Sequence, residues 1–308
     1  MSEIRFDDRV AIVTGAGGGL GRAYAEELAR RGAKVVVNDL GGSTDGTGAS
    51  TSMADEVVAS IRDAGGEAVA SYDTVATPEG GAKLTQAAMD SFGGVDIVIN
   101  NAGILRDKSF AKLEIADFEA VLDVHLRGAF FVTQPAYRVM RERGYGRVLF
   151  TTSGSGIFGN FGQANYAAAK TGLLGLSNVI AIEGAKSGIQ SNVIAPAANT
   201  RLVATAGGGE EESEAEKHML DPRQVAAFAC YLVSEACELS HEVFTVGYGR
   251  VARVFLGLAP SWFHQNEGFA TLEDFRDNLD TIMATEGFTI PQSIMEEVMP
   301  VYQRLGLA

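Results

Sequence analysis

The chain has 308 residues, 46% of them hydrophobic and 21% charged, which suits a globular protein with one large core and an appended piece and excludes a wholly disordered chain. Its formal net charge of -14 argues against nucleic acid or an anionic membrane as a partner, because both reward clustered Lys and Arg. In chain order, short apolar, β-branched runs alternate with helix-length amphipathic stretches. That is the pattern of an α/β protein whose parallel sheet is covered on both faces. Strands are predicted at Val10–Thr14, Lys34–Asn38, Glu67–Tyr72, Val95–Asn100, Gly146–Thr152, Gln190–Ala195 and Glu242–Val246, with helices between them. The helix after the fifth strand is expected over about Gln163–Lys186, ending before the glycine of KSGIQ. Two segments break the rhythm: Leu40–Ser52 reads as a flexible Gly/Ser/Thr loop, and Gly207–Lys217, glycine followed by acid, reads as mobile or extended. Cys230 and Cys237 lie in an apolar helical stretch and read as buried free thiols, with no disulfide and no metal site expected.

Beyond Gly249 the alternation stops. Residues 1–250 are therefore read as one domain and 251–308 as a C-terminal helical extension, with helices near Leu272–Ala284 and Pro291–Leu305. Within the extension, Trp262, Phe263 and Phe269 have two readings, a solvated appendage or a cover for the substrate entrance of a neighbouring subunit. MSEIRFDDRV has no basic-then-apolar leader, no apolar run reaches membrane-spanning length, and RLGLA is not a peroxisomal tripeptide, so the cytoplasm is the expected location.

The turn TGAGGGLG follows the first strand directly and opens a helix. Gly15, Gly19, Leu20 and Gly21 thus occupy the place where a dinucleotide's pyrophosphate meets bare backbone and a helix N-terminus. An ordinary glycine turn is the alternative. Asp39 ends the second strand eighteen residues after Gly21, near the spacing of about 20 expected of a carboxylate that hydrogen-bonds the adenosine ribose. It favours NAD, since a 2′-phosphate would meet a like charge. Asp73, just past the third strand, is a candidate for the adenine amino group. Asn101, Ala102 and Gly103 end the fourth strand where ligands of open α/β sheets sit; Asn101 reads equally well as a local turn-former.

Ser153, Tyr166 and Lys170 carry the expected chemistry. Tyr166 and Lys170 stand four apart in NYAAAK, about one helical turn, so phenol and ammonium share a face, and a cation there is expected to lower the phenol's pKa towards a usable base. Ser153 supplies a hydroxyl that both donates and accepts, suited to an oxygen that alternates between alcohol and carbonyl. Any tyrosine four residues before a lysine matches YxxxK, so the glycine turn and the serine at fixed distance carry the specificity.

With these motifs and NNAG in place, residues from Phe6 to Gly249 resemble the short-chain dehydrogenase/reductase family. VNDLGG, NNAGILRDKSF, VHLRGAFF and YAAAKTGLLGLSN look like the (3R)-hydroxyacyl-CoA dehydrogenase unit of peroxisomal multifunctional enzyme type 2 and its bacterial relatives, some of which act on hydroxysteroids. The resemblance implies a Rossmann, doubly wound seven-stranded parallel sheet with helices on both faces, a homodimer or homotetramer, and hydride transfer between substrate and nicotinamide. It makes Ser153 the residue that orients the substrate oxygen, Tyr166 the proton acceptor, and Lys170 the group that tunes Tyr166 and holds the nicotinamide ribose. It places Pro196 and Thr200 at the nicotinamide, although Ala197 stands where the family has glycine. His125 stands where the family has a water-holding asparagine; of the open readings, a core histidine that titrates near neutrality is preferred to a catalytic one. The expected reaction is NAD-dependent oxidation of a secondary alcohol, first of a 3-hydroxyacyl-CoA and second of a hydroxysteroid. An NADPH-dependent 3-oxoacyl reductase and a catalytically silent NAD-binding protein are the competing readings. Arg106, Lys108 and Arg201 are candidate counter-charges for coenzyme A phosphates.

Overall fold

A computed structural model describes residues 3–198, 218–264 and 268–306 of the chain. Eight strands form one sheet in the order β3-β2-β1-β4-β5-β6-β7-β8. They are β1 (Val10–Thr14), β2 (Lys34–Asn38), β3 (Glu67–Ser71), β4 (Ile97–Asn100), β5 (Gly146–Thr151), β6 (Ile189–Pro196), β7 (Val243–Gly247) and β8 (Arg250–Val254). From β3 to β7 every neighbouring pair is parallel. The inner strands β1, β2, β4 and β5 are buried on both faces, so they read as nearly continuous apolar runs instead of alternating ones.

Side-chain alternation builds two cores. Ala11 and Val13 of β1, Val35 and Val37 of β2, and Ile97 and Ile99 of β4 face helices α1 (Gly19–Arg30), α2 (Ser52–Asp63) and α8 (Pro222–Leu232). Val10, Ile12, Val36 and Val98 point the other way, onto α3 (Pro78–Phe92), α5 (Gly128–Arg143) and α7 (Ala164–Gly184). Between β4 and α5 lies α4 (Ile115–Leu122), and α6 (Gly154–Phe158) joins β5 to α7. Strand order reverses between β1 and β4, which opens a crevice at their C-terminal ends. Cys230 and Cys237 are buried free thiols. Among the described residues no helix is long and apolar enough to cross a membrane.

Eight strands replace the seven expected. β8 follows β7 through Tyr248 and Gly249, with φ of 55° and 72°, the two-residue turn geometry that folds a strand back beside its neighbour. Its sequence, RVARV, sits on the sheet edge with no residue fully buried, so it lacks the apolar run by which the other strands announce themselves. Chain contacts divide the protein into 1–253 and 254–308. In the second unit the predicted helix at Leu272–Ala284 is two short ones, α9 (Leu272–Asp277) and α10 (Leu279–Ile282), and the last helix is α11 (Ile294–Leu305). None of this unit's described residues is buried. Trp262 packs edge-on against Phe275 at 5.6 Å, and Phe263 lies under the Arg304 guanidinium at 4.0 Å. Phe269 is 99% exposed, so the three aromatic residues do not form one cluster.

Candidate active site

Backbone geometry builds the first half of the site. Gly15 turns the chain at φ 62°, and a Cβ there would lie 2.8 Å from Ala102 Cα. Gly21 has a different job from the one expected: its missing Cβ leaves room for the Gly15 carbonyl and Asn101 Nδ2, which lets α1 start tight against the ends of β1 and β4. It does not line the cavity. The first turn of α1 carries no acidic residue, so its N–H groups and positive dipole end remain available to an anion. Both carboxylate oxygens of Asp39 are fixed, Oδ2 accepting from Gly17 N–H at 2.8 Å and Oδ1 from Gly41 N–H at 2.7 Å. Arg22 is paired on its own helix with Glu26 at 2.8 Å. Asp73 pairs with Lys83 at 3.1 Å.

Asn101 braces the glycine turn. Its Nδ2 donates to the carbonyls of Thr14 and Gly15 at 3.0 and 3.1 Å, while Thr14 Oγ1 accepts from the N–H groups of Asn101 and Ala102 at 3.0 and 3.1 Å. Thr14 was not singled out from the sequence, where it looks like the last residue of a strand. The turn-forming reading of Asn101 is the one this geometry matches.

The second half lies on β5, α6 and α7. Ser153 follows β5 and caps α6, accepting from Ser155 N–H at 3.2 Å. Tyr166 and Lys170 share the first turns of α7, which is tied to β5 by Thr152 Oγ1 donating to Lys170 O at 2.7 Å. Lys170 is 3% exposed, and its Nζ donates to Thr151 O at 2.5 Å and lies 5.5 Å from the Tyr166 ring centroid. Burial pushes the Lys170 pKa down to about 7. Burial also raises the Tyr166 phenol, the Ser153 hydroxyl pulls it down, and Asp107 raises it further. This corrects the expected lowering of Tyr166 by Lys170: the two share a helix face, but desolvation dominates both.

His125 lies in a π-helical turn, Asp123–Arg127, between α4 and α5, and such turns recur at functional sites. Its ring packs edge-on against Tyr166 at 5.1 Å and 82°. Nε2 stands 3.0 Å from Ile104 N and 2.8 Å from Ile104 O, and Nδ1 is buried without a partner. Burial, then the charge of Lys170, drives the imidazole well below its usual pKa, against the opposing Ile104 bond. His125 is therefore neutral at physiological pH and does not titrate near neutrality. Asn165, fully buried, was also missed; its Nδ2 donates to Arg106 O at 2.9 Å and its Oδ1 accepts from Tyr166 N–H at 2.8 Å.

A cavity of about 490 Å³ joins the two halves. It is lined by Gly15, Gly19, Leu20, Asp39, Asp73, Asn101, Ala102, Gly103, Ser153, Tyr166, Lys170 and Pro196. Thr200, Arg201 and the segment Gly207–Lys217 lie outside the described residues. Arg106 and Lys108 both pair with Asp117, at 3.4 and 2.9 Å, so neither is a free counter-charge. The bare backbone at the start of α1, the fixed carboxylate at one end and the phenol–ammonium pair at the other fit a dinucleotide.

The family model for short chain dehydrogenases matches residues 9–210. Peroxisomal multifunctional enzyme type 2 of Mus musculus is 48% identical over 299 residues, which are 96% of this chain and 39% of that protein. The chain thus spans about two fifths of that curated relative. Hydroxyacyl-CoA dehydrogenase ChsB1 of Mycobacterium tuberculosis is 37% identical over 90% of this chain and 92% of its own length. The solved full-length peroxisomal multifunctional enzyme type 2 of Drosophila melanogaster superposes with a TM-score of 0.82 at 36% identity, covering 98% of this chain and 50% of that one. With a family match over most of its sheet and the serine, tyrosine and lysine gathered at one cavity, this chain belongs to the short chain dehydrogenase family, oxidoreductases that act on CH–OH groups with a nicotinamide cofactor.

Proposed function

We propose that the chain interconverts a (3R)-3-hydroxyacyl-CoA and the 3-oxoacyl-CoA, with NAD as the redox partner. The observation that carries the reading is the placement of Ser153, Tyr166 and Lys170 in the cavity that also holds Asp39. Ser153 Oγ holds the substrate oxygen and Tyr166, as phenolate, takes its proton. A bound nicotinamide supplies the hydride acceptor. Lys170, buried beside the phenol, supports the phenolate whenever it carries its proton. In reduction, Tyr166 returns the proton to the carbonyl oxygen.

NAD is favoured over NADP by Asp39, whose fixed carboxylate opposes a 2′-phosphate, while Arg22 is paired with Glu26. The thioester is favoured by the relatives, one of which, named a hydroxyacyl-CoA dehydrogenase, matches over nearly its whole length. A homo-oligomer accords with the apolar surface on α5 and α7, where Phe130, Val179 and Ile182 are exposed. The test is a panel of acyl-CoA chain lengths, both 3-hydroxy enantiomers and a hydroxysteroid, each with NAD and NADP. Reduction of NAD by the 3R thioester above all others is expected. Preference for the steroid, or for NADP, would overturn the assignment.

A further inference from the structure

Two loops that wall the nucleotide half of the cavity are tied to each other. β1 lies between β2 and β4 in the sheet, so any bond between the loop after β2 and the segment after β4 crosses the C-terminal end of β1, where the glycine turn sits. Two such bonds exist: Leu105 N–H donates to Thr44 O at 2.9 Å, and Arg106 Nε donates to Asp45 O at 2.9 Å. Thr44, Gly46, Ile104 and Arg106 all line the same cavity as Asp39 and Tyr166.

The loop side is preorganised, not slack. Ser43 N–H donates to Thr47 O at 2.8 Å, Gly46 N–H to Ser43 O at 3.0 Å, and Thr47 N–H to Asp45 Oδ1 at 3.0 Å, a local turn of the kind Asp and Ser favour. The facing segment is anchored from three sides. His125 Nε2 meets Ile104, Asp117 of α4 meets the Arg106 guanidinium, and buried Asn165, next to Tyr166, meets Arg106 O.

We propose that Leu40–Thr47 and Ile104–Arg106 form a strap across the nucleotide cleft, that it must part for the dinucleotide to enter or leave, and that Arg106 is the positioning residue that latches it. The inference rests on the nucleotide reading of the cleft. A ligand reaching from Asp39 to Tyr166 lies inside a ring closed by the sheet on one side and by these bonds on the other. Arg106 has a side chain 28% exposed, so its bond to Asp45 O is accessible to competing water and opens more readily than the buried anchors.

The test follows NADH fluorescence on the full chain, with bound NADH displaced by excess NAD in a stopped-flow instrument. Arg106→Ala is expected to release NADH about tenfold faster, the factor associated with a partly solvated bond from a charged donor. Arg106→Lys keeps a charge for Asp117 but has no Nε to reach Asp45 O, and should release NADH like the alanine variant. Asp117→Asn removes the charge that pairs with both Arg106 and Lys108 but keeps a side-chain oxygen to accept from the Arg106 guanidinium, leaves the bond to Asp45 O untouched, and should release it like the parent. Release from Arg106→Ala within twofold of the parent, or equal acceleration by Asp117→Asn, would overturn the latch. A parent chain that binds no NADH would overturn the nucleotide reading, and the latch with it.

Discussion

Replacing Lys170 with methionine should stabilise the free protein while destroying its activity. Lys170 is 3% exposed and burial holds its pKa at about 7, against about 10.5 for an ordinary lysine. At about 1.4 kcal/mol per pH unit, and with Lys170 half protonated at its folded pKa, that gap amounts to about 4 kcal/mol against the folded state at pH 7. Methionine removes the term but leaves Thr151 O without its donor, a cost of about 1–2 kcal/mol. The net gain for Lys170→Met is then about 2–3 kcal/mol at pH 7. The sign fixes the pH dependence: between about pH 7 and 10.5 the unfolded parent binds the extra proton, so the parent gains stability as pH rises and the variant does not. The gap should narrow by about 1.4 kcal/mol per pH unit and close near pH 9 to 10. Urea unfolding followed by far-ultraviolet circular dichroism at pH 7, 8 and 9 measures it. A gap that does not change with pH, or a variant less stable than the parent at pH 7, would contradict burial as the dominant influence on Lys170.

Other substitutions and the pH profile probe the rest of the site. Asp39→Ala should weaken NAD binding about tenfold, as loss of a charged hydrogen bond implies, and narrow the preference over NADP; an unchanged NAD-to-NADP ratio of dissociation constants would remove Asp39 from the site. Gly21→Ala places a methyl on the Gly15 carbonyl and should cost about 1–3 kcal/mol, read as a lower urea midpoint; an unaltered midpoint would contradict the close approach. Because burial raises the Tyr166 phenol, the oxidation rate should climb with pH into the alkaline range while the reduction rate declines. A flat profile in both directions would exclude Tyr166 as the titrating group.

Most of the sheet and the outline of the site were legible in the sequence, because buried parallel strands are continuous apolar runs and the glycine turn, Asp39 and YxxxK lie at fixed distances along the chain. What escaped notice was set by tertiary surroundings. β8 is an edge strand whose only strong signal is the Tyr248-Gly249 turn. Thr14 and Asn165 act by hydrogen bonds to distant backbone, which no local pattern records. The sign of the Tyr166 perturbation is hidden from the sequence for a similar reason. Spacing puts a cation on the same helix face, but burial depth decides which term is larger, and only the folded structure supplies it.

Tyr166→Phe keeps the ring that packs against His125 and deletes only the hydroxyl. A single-turnover measurement with pre-bound NAD, followed at the NADH absorbance band, isolates the step in which the substrate loses its proton. A rate at least about 10²-fold lower is expected, with NADH binding unchanged. A rate within a few-fold of the parent's would contradict Tyr166 as the proton acceptor.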